Sequence, residues 1–515
     1  MSRRRIWGKK GSIKDWKLSD HLKDWKLSEQ QQRNPHCNWT GIICNSVGDI
    51  EKLDLLRRNL SGKVSDEIQL LRSLVSIDLC RNGFSSALPR SFSNLTLLRT
   101  VDLSQNYFVD SFPEGLGMTI GLTLLNASSN NFSGNILVDI GNNTGLETLD
   151  LRGNFFIGSI PVSFRNLRKL KFLGVSGNNL TGLIPREIGE LSALESVVLG
   201  YNEFEISRSR LPESRRFDSP GTGESKGIGS DVLVPEQSQR KDRRSTSLTQ
   251  LDLSYNMLSR EIALEISALK SLQLFNVMSN RLTGSIPSGI SNLTQLGIHE
   301  LWNNSFSGSL PNDLGFNSPL EWVDVSSNSF TGRIPENLCR RGNLTKLILF
   351  NNAFSGPIPV GLPTCDSLVR VRMQNNFLSG VIPVGFGSLE KLQRLELANN
   401  NLTWQIPNDI SSSPSLSFMD FSRNQLQSAL PSLIFSIPNL QNFLVSDNKL
   451  IGKIPNQFQD CPSLSILDLS SNQFTGAIPA SIASCQKLVY LSLRNNQLSG
   501  EIWEPSPFSI CQTIR

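Results

Sequence analysis

The stretch LQRLELANNNL at Leu392–Leu402 shows the pattern that decides the fold. It places leucine at its first, fourth, sixth and last positions and asparagine at its ninth, and LSILDLSSNQF at Leu464–Phe474 repeats this order with phenylalanine at the end. Successive side chains of a β-strand point to opposite faces, so the alternating leucines predict a short strand that turns them inward. The residues between the leucines then face outward.

The asparagine of this pattern recurs along most of the chain. Eighteen such asparagines occur in two blocks, and within each block they stand 24 residues apart, except for a first step of 23. They are Asn59, Asn82, Asn106, Asn130, Asn154, Asn178, Asn202, Asn256, Asn280, Asn304, Asn328, Asn352, Asn376, Asn400, Asn424, Asn448, Asn472 and Asn496. A fixed period of this length indicates a solenoid in which each repeat stacks on the next. We therefore predict a long sheet of parallel strands and a ladder of asparagines that bond the turn after each strand.

Composition argues against several classes of function. The 515 residues are 38% hydrophobic and carry a formal net charge of +5, which is too balanced to indicate a nucleic-acid-binding protein. Three histidines argue against a multi-histidine metal site or a histidine-based triad, and no cofactor is expected. The sequence contains no run of 18 apolar residues, so no membrane span is expected, and its basic start lacks the apolar core of a secretory signal.

The second half of most repeats reads G-x-I-P, as at Gly158–Pro161, Gly284–Pro287 and Gly356–Pro359. In this motif the sequence resembles the plant-type leucine-rich repeat of receptor-like kinases and receptor-like proteins, from about Cys37 to Glu501 with one break. The resemblance implies an α/β repeat solenoid of about eighteen 24-residue repeats. It further implies a right-handed superhelix with a parallel β-sheet on its concave face and a second, irregular set of strands on one flank.

Two cysteines, Cys37 and Cys44, stand immediately before the first repeat in the segment CNWTGIIC. The segment is similar to the cap of plant receptor ectodomains, in which the two cysteines form a disulfide and the tryptophan covers the open end. Three further cysteines, Cys365, Cys461 and Cys485, each stand eleven residues before a ladder asparagine. We interpret this shared position as a buried slot that a small apolar thiol fills.

Eleven N-x-[ST] sequons occur in the chain. The candidate glycosylation sites among them are Asn38, Asn59, Asn94, Asn126, Asn292, Asn343 and Asn401. Together with the paired cysteines of the cap, they favour an oxidising, glycosylating compartment. The resemblance likewise implies the extracellular face of the plasma membrane, which conflicts with the missing signal segment.

The outward residues of successive strands form columns when the repeats are placed in register. One column reads Trp322, Lys346, Arg370, Arg394 and Phe418, and the next contains Arg372, Glu396 and Asp420. Neighbouring strands lie about 5 Å apart, so four cations crowd one spot. Two guanidinium groups side by side suit a carboxylate, which they bind through bidentate hydrogen bonds. The alternative is a solvated cluster whose charge is offset by the two acidic residues.

The segment SLVRVRMQNN at Ser367–Asn376 resembles the R-x-R signature of plant peptide-hormone receptors. The wider sequence is most similar to the PXY-like subgroup, which is related to the receptors for CLE-type peptides. The resemblance implies that Arg370 and Arg372 hold the free C-terminal carboxylate of a short secreted peptide. It also implies a co-receptor kinase ectodomain as a further partner of the intact protein. The candidate peptide-binding residues are Arg370, Arg372, Lys346, Arg394, Trp322 and Phe418.

We therefore predict the ligand-binding ectodomain of a receptor-like kinase that lacks its own signalling domain. The sequence shows no kinase glycine-rich loop, H-R-D or D-F-G motif, so an enzyme is not expected. One alternative is a protein–protein interaction scaffold, such as a polygalacturonase-inhibitor-like protein. Another is a gene fragment that does not fold stably.

The repeat pattern also predicts domain boundaries. They are an irregular basic segment at 1–36, a cap at 37–52, repeat blocks at 53–204 and 246–501, a segment without leucine framework at 205–245 and an irregular tail at 502–515. Asn202 and Asn256 flank that segment at a spacing of 54 residues, six more than two periods. A functional island, a tolerated disordered loop and non-native translated sequence remain open as interpretations. Relatives have unbroken repeats there, so the resemblance implies that two repeats of groove are lost.

Overall fold

The computed structural model describes residues 16–17, 35–205, 247–458 and 461–500. The predicted C-terminal tail and most of the two predicted irregular segments therefore lie outside the described residues. The chain divides into a first unit, Met1–Leu272, and a second unit, Gln273–Arg515. Within the described ranges, no helix combines the length and the apolar character that a bilayer crossing requires.

Each unit contains a main sheet built from one short strand per repeat. In the first unit the strands are Ile42–Cys44, Ile50–Asp54, Ser76–Asp78, Thr100–Asp102, Leu124–Asn126, Thr148–Asp150, Phe172–Gly174, Ser196–Val198 and Gln250–Asp252. In the second they are Leu274–Asn276, Ile298–Glu300, Trp322–Asp324, Lys346–Ile348, Arg370–Arg372, Arg394–Glu396, Phe418–Asp420, Asn442–Leu444, Ile466–Asp468 and Tyr490–Ser492. Successive repeat strands within a unit pair in parallel, whereas the cap strand Ile42–Cys44 is antiparallel to Ile50–Asp54. The predicted leucine-rich repeat solenoid is thus confirmed.

The strand Arg370–Arg372 shows why this sequence pattern folds in this way. Its central Val371 is fully buried, while both arginines reach the surface. The strand is only three residues long. After it the chain turns away from the sheet and uses the remaining residues of the 24-residue repeat to return to the next strand. A repeat of this kind therefore buries its central side chain against its neighbours and directs the residues on both sides of it to the opposite face of the sheet.

The asparagine after each strand bonds the turn. The side-chain Nδ2 of Asn376 donates to the carbonyl oxygens of Leu349, Met373 and Gln374 at 3.1, 3.1 and 3.3 Å. Its Oδ1 accepts a hydrogen bond from the backbone N–H of Phe354 at 3.0 Å. Two of these four partners belong to the preceding repeat, so the side chain both satisfies turn groups that leave the sheet and ties neighbouring repeats together. The predicted asparagine ladder is present.

A second set of strands lies after the ladder asparagines. In the first unit these flanking strands are Ser61–Gly62, Gly83–Phe84, Val109–Asp110, Asn131–Asn135, Phe155–Gly158, Asn179–Gly182, Glu203–Phe204 and Ser259–Arg260. The short strand Trp16–Lys17 precedes the first ladder asparagine and pairs antiparallel with Ser61–Gly62. In the second they are Arg281–Gly284, Ser305–Gly308, Ser329–Gly332, Ala353–Gly356, Phe377–Gly380, Asn401–Trp404, Gln425–Ser428, Lys449–Lys453, Gln473–Gly476 and Gln497–Leu498. They form the second set of strands that the resemblance to plant-type repeats implied.

The G-x-I-P motif ends a flanking strand and begins a helix. At Gly284 the backbone φ is +75°, a left-handed value that glycine adopts without steric penalty. Ile286 is buried, and Pro287 caps the helix Ser288–Asn292 with a φ of −56°. Proline fixes φ near this value, so it directs the chain into the short helix that closes the repeat.

The helices are single 3₁₀ turns of three to five residues. In the first unit they are Pro35–Asn38, Asp66–Leu70, Arg90–Asn94, Leu116–Met118, Val138–Asn142, Val162–Asn166, Arg186–Glu190 and Leu264–Ala268. In the second they are Ser288–Asn292, Leu362–Thr364, Phe386–Ser388, Asn408–Ser412, Ile434–Ser436 and Ala480–Ser484. Each of them except Pro35–Asn38 supplies one buried apolar residue or more to the core.

The two repeat blocks join without a gap in the main sheet. Strand Ser196–Val198 pairs directly with Gln250–Asp252, and the rings of Tyr201 and Tyr255 stack with centroids 4.2 Å apart. The Oδ1 atom of Asn256 accepts from the backbone N–H of Phe204 at 3.0 Å, as in a regular step of the ladder. The 54-residue spacing thus acts structurally as one repeat, and the exposed face continues across it.

Candidate functional site

The six predicted peptide-binding residues lie on one face of the main sheet in the second unit. Strand pairing places Trp322 beside Lys346, Lys346 beside Arg370, Arg370 beside Arg394, and Arg394 beside Phe418. The sixth residue, Arg372, shares a strand with Arg370 and points to the same face because the two are two positions apart. The structure therefore brings together every residue of the predicted cluster.

Three of the four cations lie over aromatic rings. The Nζ atom of Lys346 lies 3.7 Å from the centre of the Trp322 ring, and the Cζ atom of Arg394 lies 4.1 Å from the centre of the Phe418 ring. Arg372 places its Cζ atom 4.5 Å from the centre of the Phe350 ring. A cation over an aromatic face is attracted by the ring's negative π surface, and the flat guanidinium also stacks on it. The rings thus restrict the directions in which these side chains extend.

A single carboxylate, Glu396, connects two of the arginines. Its Oε1 accepts from the Nε of Arg394 at 2.9 Å, and its Oε2 accepts from the Nε of Arg372 at 3.2 Å. The Nε2 of Gln374 donates to the same Oε2 at 3.2 Å. The carboxylate therefore neutralises part of the cluster's charge and fixes the position of two guanidinium groups.

Arg370 remains open to a ligand. Its side chain is half-buried, and no described residue forms an ion pair or a hydrogen bond with its guanidinium. Arg372 engages Glu396 through Nε alone, so its terminal nitrogens have no hydrogen-bond partner among the described residues. The two arginines together offer the planar forks of donors that bind carboxylates.

Two aspartates beside the cluster point their carboxylates at serines rather than at cations. Asp324 accepts from the backbone N–H and the hydroxyl of Ser326, and Asp420 accepts in the same way from Ser422. Burial raises the pKa of Asp324, although the serine hydrogen bonds and the charge of Arg372 oppose that shift. Burial also raises the pKa of Asp420 against its serine bonds. Of the two acids expected to offset the cations, Glu396 contacts them, and Asp420 is occupied by Ser422.

Two members of the site were not singled out from the sequence, namely Phe350 and Gln374. Both stand two residues before a ladder asparagine, in a third exposed column that neighbours the two columns already compared. Placing that column in register would have found them. The central role of Glu396 depends on side-chain conformation, which the register does not determine.

The cysteines form three disulfides in the described residues. Cys37 is bonded to Cys44 in the cap, as the resemblance implied, and Trp39 between them is buried. The interpretation of Cys365, Cys461 and Cys485 as buried thiols is wrong, because the second unit contains the bonds Cys339–Cys365 and Cys461–Cys485. Stacking places their Cα atoms 6.0 and 5.2 Å apart, which is within the range that a disulfide spans.

A separation of 24 residues is itself the missed signal, since it puts Cys461 and Cys485 at the same position of adjacent repeats. The described residues contain one free thiol, Cys80, which accepts a hydrogen bond from Ser104, and burial raises its pKa. Within the same described ranges, one group has the spacing of metal ligands, and it consists of His36 and the bonded pair of the cap. The disulfide occupies both sulfurs, so this group does not fit a metal ion.

Most candidate glycosylation sites are accessible. The exposed ones are Asn38, Asn59, Asn94, Asn292, Asn343 and Asn401. Asn126 differs, because it is half-buried on the main sheet, donates to Asp102 at 3.0 Å and accepts from the hydroxyl of Ser128 at 2.8 Å. A glycan is attached to that Nδ2 atom, which here is half-buried and bonded to Asp102, so Asn126 fits a glycosylation site less well than the others.

Family models match the repeats and the cap. The leucine rich repeat model matches residues 143–204, 366–426 and 438–498, and a second model of the same name matches residues 73–95, 247–269, 271–293 and 319–340. The leucine rich repeat N-terminal domain model matches residues 9–45, which include both cysteines of the cap. The matches cover repeats of both blocks and the strand that carries the two arginines.

Solved structures extend this similarity over most of the chain. The crystal structure of a TDR receptor is 38% identical, with a TM-score of 0.65, and the match covers 87% of this chain and 80% of that one. The Arabidopsis receptor kinase HAESA, solved with the peptide hormone IDA and the co-receptor SERK1, is 31% identical, with a TM-score of 0.58 and coverage of 95% and 93%.

A curated relative from Arabidopsis thaliana, MDIS1-interacting receptor like kinase 1, is 57% identical over 64 residues. That match spans 12% of this chain and 5% of the relative, so the chain covers a small part of that protein's length. The two receptor structures carry the assignment, because each matches at more than 30% identity over most of both chains. The chain belongs to the plant leucine-rich repeat receptor kinases, and its repeats correspond to the ectodomain of that family.

Proposed function

We propose that the chain is a ligand-binding receptor ectodomain that recognises a short secreted peptide by its C-terminal carboxylate. The observation that carries the proposal is the strand Arg370–Arg372, which presents two guanidinium groups on one exposed face, one of them without an acidic partner. A carboxylate placed between them would replace water with bidentate, charge-assisted hydrogen bonds. Lys346 adds a third cation on the adjacent strand.

The relatives support this class of ligand. The HAESA structure is a complex with the peptide hormone IDA and the co-receptor SERK1, and the receptor RGFR1, 28% identical over 86% of this chain, was solved with RGF2. By the similarity to the TDR receptor and the PXY-like subgroup, we propose a CLE-type peptide as the ligand. By the similarity to HAESA, we propose that the intact receptor also contacts a co-receptor kinase ectodomain.

We propose that these repeats act at the extracellular face of the plasma membrane. Three disulfides and six exposed sequons support that location, because disulfides persist and sequons are glycosylated in the secretory pathway. We further propose that the repeats bind and do not catalyse. Arginine guanidinium groups stay charged at all physiological pH values, so the cluster anchors an anion and does not transfer protons.

Replacing both arginines by alanine tests the anchor. The double variant Arg370→Ala/Arg372→Ala should lose about 100-fold or more in affinity for a hydroxyproline-containing CLE-type dodecapeptide, since each charge-assisted pair contributes roughly 1.5–3 kcal/mol. Isothermal titration calorimetry with the free-acid peptide measures this loss. The same peptide with an amidated C-terminus should bind the unmodified protein weakly, because it lacks the charge that the arginines recognise.

Arg423→Ala provides the matched control. Arg423 is an exposed arginine of the same unit that approaches Asp447 at 3.9 Å and contacts no cation of the cluster's Glu396 network. Its loss should leave both folding and peptide affinity unchanged. Equal affinity of the double variant and the unmodified protein for the free-acid peptide would disprove the carboxylate anchor.

A further inference from the structure

We propose that Glu396 is a positioning residue of the peptide site, an inference that rests on the function proposed above. Its side chain is 8% exposed although it lies on the ligand-facing side of the sheet. Three donors converge on its two oxygens, namely the Nε groups of Arg372 and Arg394 and the amide of Gln374. A carboxylate so enclosed and so bonded holds one conformation, and it imposes that conformation on its partners.

The contacts of Glu396 divide the four cations into two pairs. Arg372 and Arg394 each lie over an aromatic ring and donate a hydrogen bond to this carboxylate. Arg370 and Lys346 have no acidic partner among the described residues. One pair is therefore preorganised, and the other keeps its full charge for the ligand.

Preorganisation has a direct effect on affinity. An arginine side chain loses rotamer entropy when it binds, and a residue that already fixes it reduces that loss on ligand binding. Because Glu396 bonds Arg372 through Nε, it leaves the terminal nitrogens of that guanidinium without a hydrogen-bond partner among the described residues. The carboxylate of Glu396 thus orients the guanidinium of Arg372 without hydrogen-bonding to its terminal nitrogens.

Charge and positioning predict opposite results when Glu396 is removed. A negative charge next to an anion-binding site repels a carboxylate ligand, so electrostatics alone predicts tighter binding for Glu396→Ala. Loss of positioning predicts weaker binding, because Arg372 and Arg394 then sample several rotamers. The sign of the change in affinity therefore distinguishes the two roles.

The experiment compares the free-acid and the amidated CLE-type dodecapeptide on the unmodified protein, Glu396→Ala and Glu396→Gln. We expect Glu396→Ala to bind the free acid about tenfold more weakly, which corresponds to the loss of one net hydrogen-bonded contact, and to bind the amide with little change. Glu396→Gln keeps one oxygen acceptor, so its affinity for the free acid should lie between those of the unmodified protein and Glu396→Ala. Asp447→Ala is the matched control, since it removes an acid from an exposed pair of the same unit.

The outcomes separate this inference from the proposed function. If the unmodified protein prefers the free acid and Glu396→Ala binds it equally well or more tightly, the positioning role is disproved and the carboxylate anchor stands. If the unmodified protein does not prefer the free acid, the proposed function fails. The positioning role then depends on a measurement without peptide.

That measurement is hydrogen exchange at arginine Nε–Hε groups, followed by NMR of the arginine-labelled protein. Arg372 and Arg394 donate these hydrogens to Glu396, so they should exchange more slowly than the same group of Arg370. In Glu396→Ala all three rates should become similar while the thermal unfolding midpoint stays within a few degrees. Fast exchange at Arg372 and Arg394 in the unmodified protein would contradict the positioning role.

Discussion

At position 299 a histidine occupies an inward position that the neighbouring strands fill with Phe275 and Val323. His299 is fully buried, its ring stacks on Phe275 at 5.8 Å, and neither ring nitrogen has a hydrogen-bond partner among the described residues. Burial lowers the pKa of His299 from its ordinary value of 6.5 to about 4. The core of the second unit therefore contains a group that is stable only when neutral.

This burial predicts a stability that falls as the solution becomes acidic. Below about pH 6.5 the unfolded chain binds a proton at His299 that the folded chain does not bind until about pH 4. Between these values the free energy of unfolding should decrease by on the order of 3 kcal/mol in total. Urea unfolding at pH 7.5, 6, 5 and 4.5 measures this loss.

His299→Leu is the comparison for that series. Leucine fills the position with an apolar side chain, so the variant should be more stable than the unmodified protein at pH 7.5 and more so at pH 5. A difference in stability that does not change with pH would show that His299 does not titrate as its burial requires.

At the same scale, sequence register was enough to predict which side chains share the exposed face. It placed Lys346, Arg370, Arg372 and Arg394 together because strand spacing and alternation are fixed by the backbone. It did not predict that Glu396 holds two of them and leaves Arg370 open, since that depends on rotamers and on the rings beside each cation.

At the scale of the single element, the flanking strand Asn401–Trp404 departs from most other flanking strands. The corresponding position is glycine with φ of +80° at Gly380 and +77° at Gly476, whereas Trp404 adopts +68° and is 62% exposed. A left-handed conformation costs a residue with a Cβ atom roughly 1–2 kcal/mol. Because the indole is mostly exposed, its burial offsets little of this conformational cost.

Trp404→Gly should therefore stabilise the protein. The gain is about 0.5–1 kcal/mol, because glycine removes the left-handed strain but adds backbone entropy to the unfolded chain. Thermal unfolding measures it. Ser428→Gly, at φ +80° in the next repeat, should give a similar gain, and Gly380→Ala should destabilise. A loss of stability in Trp404→Gly alone would mean that the indole makes contacts its exposure does not indicate.

Elements were predictable where a motif fixes the backbone and were missed where two repeats interact. Glycine and proline in G-x-I-P specify the end of a flanking strand and the start of a 3₁₀ turn. The bond Cys461–Cys485 joins two repeats, so a comparison of each repeat with the consensus classed the two residues as equivalent apolar fillers. Their separation of one full period, which sets them at the same position of neighbouring repeats, is the signal that such a comparison misses.

At the scale of the whole molecule, the junction between the repeat blocks predicts that residues 206–246 can be replaced by a regular repeat segment. A regular repeat has eleven residues where this chain has residues 206–246, as Gly182–Ser192 shows for the repeat before. Those eleven residues include Ile188 and Leu191, which are fully buried. Because Ser196–Val198 already pairs with Gln250–Asp252, the two ends are placed as in a regular repeat.

Replacing residues 206–246 by a copy of Gly182–Ser192 should yield a folded protein with an unfolding midpoint equal to or above the original. The copy adds buried apolar side chains between neighbours, and stability in a solenoid grows with such nearest-neighbour contacts. Circular dichroism melts and size-exclusion chromatography measure the outcome. A variant that aggregates or melts earlier would show that the native segment contributes contacts of its own.

The ladder gives this family a natural coordinate that residue numbers do not provide. Arg370 and Arg372 stand on the strand of the thirteenth ladder asparagine, Asn376, and they would keep that rank whatever the length of the segment before Asn256. Insertions between rungs shift every later number but move no side chain from one rung to another. Forms of this chain that differ in the length of that segment are therefore best compared by rung and by column, because an alignment anchored on length would assign their residues to the wrong repeat.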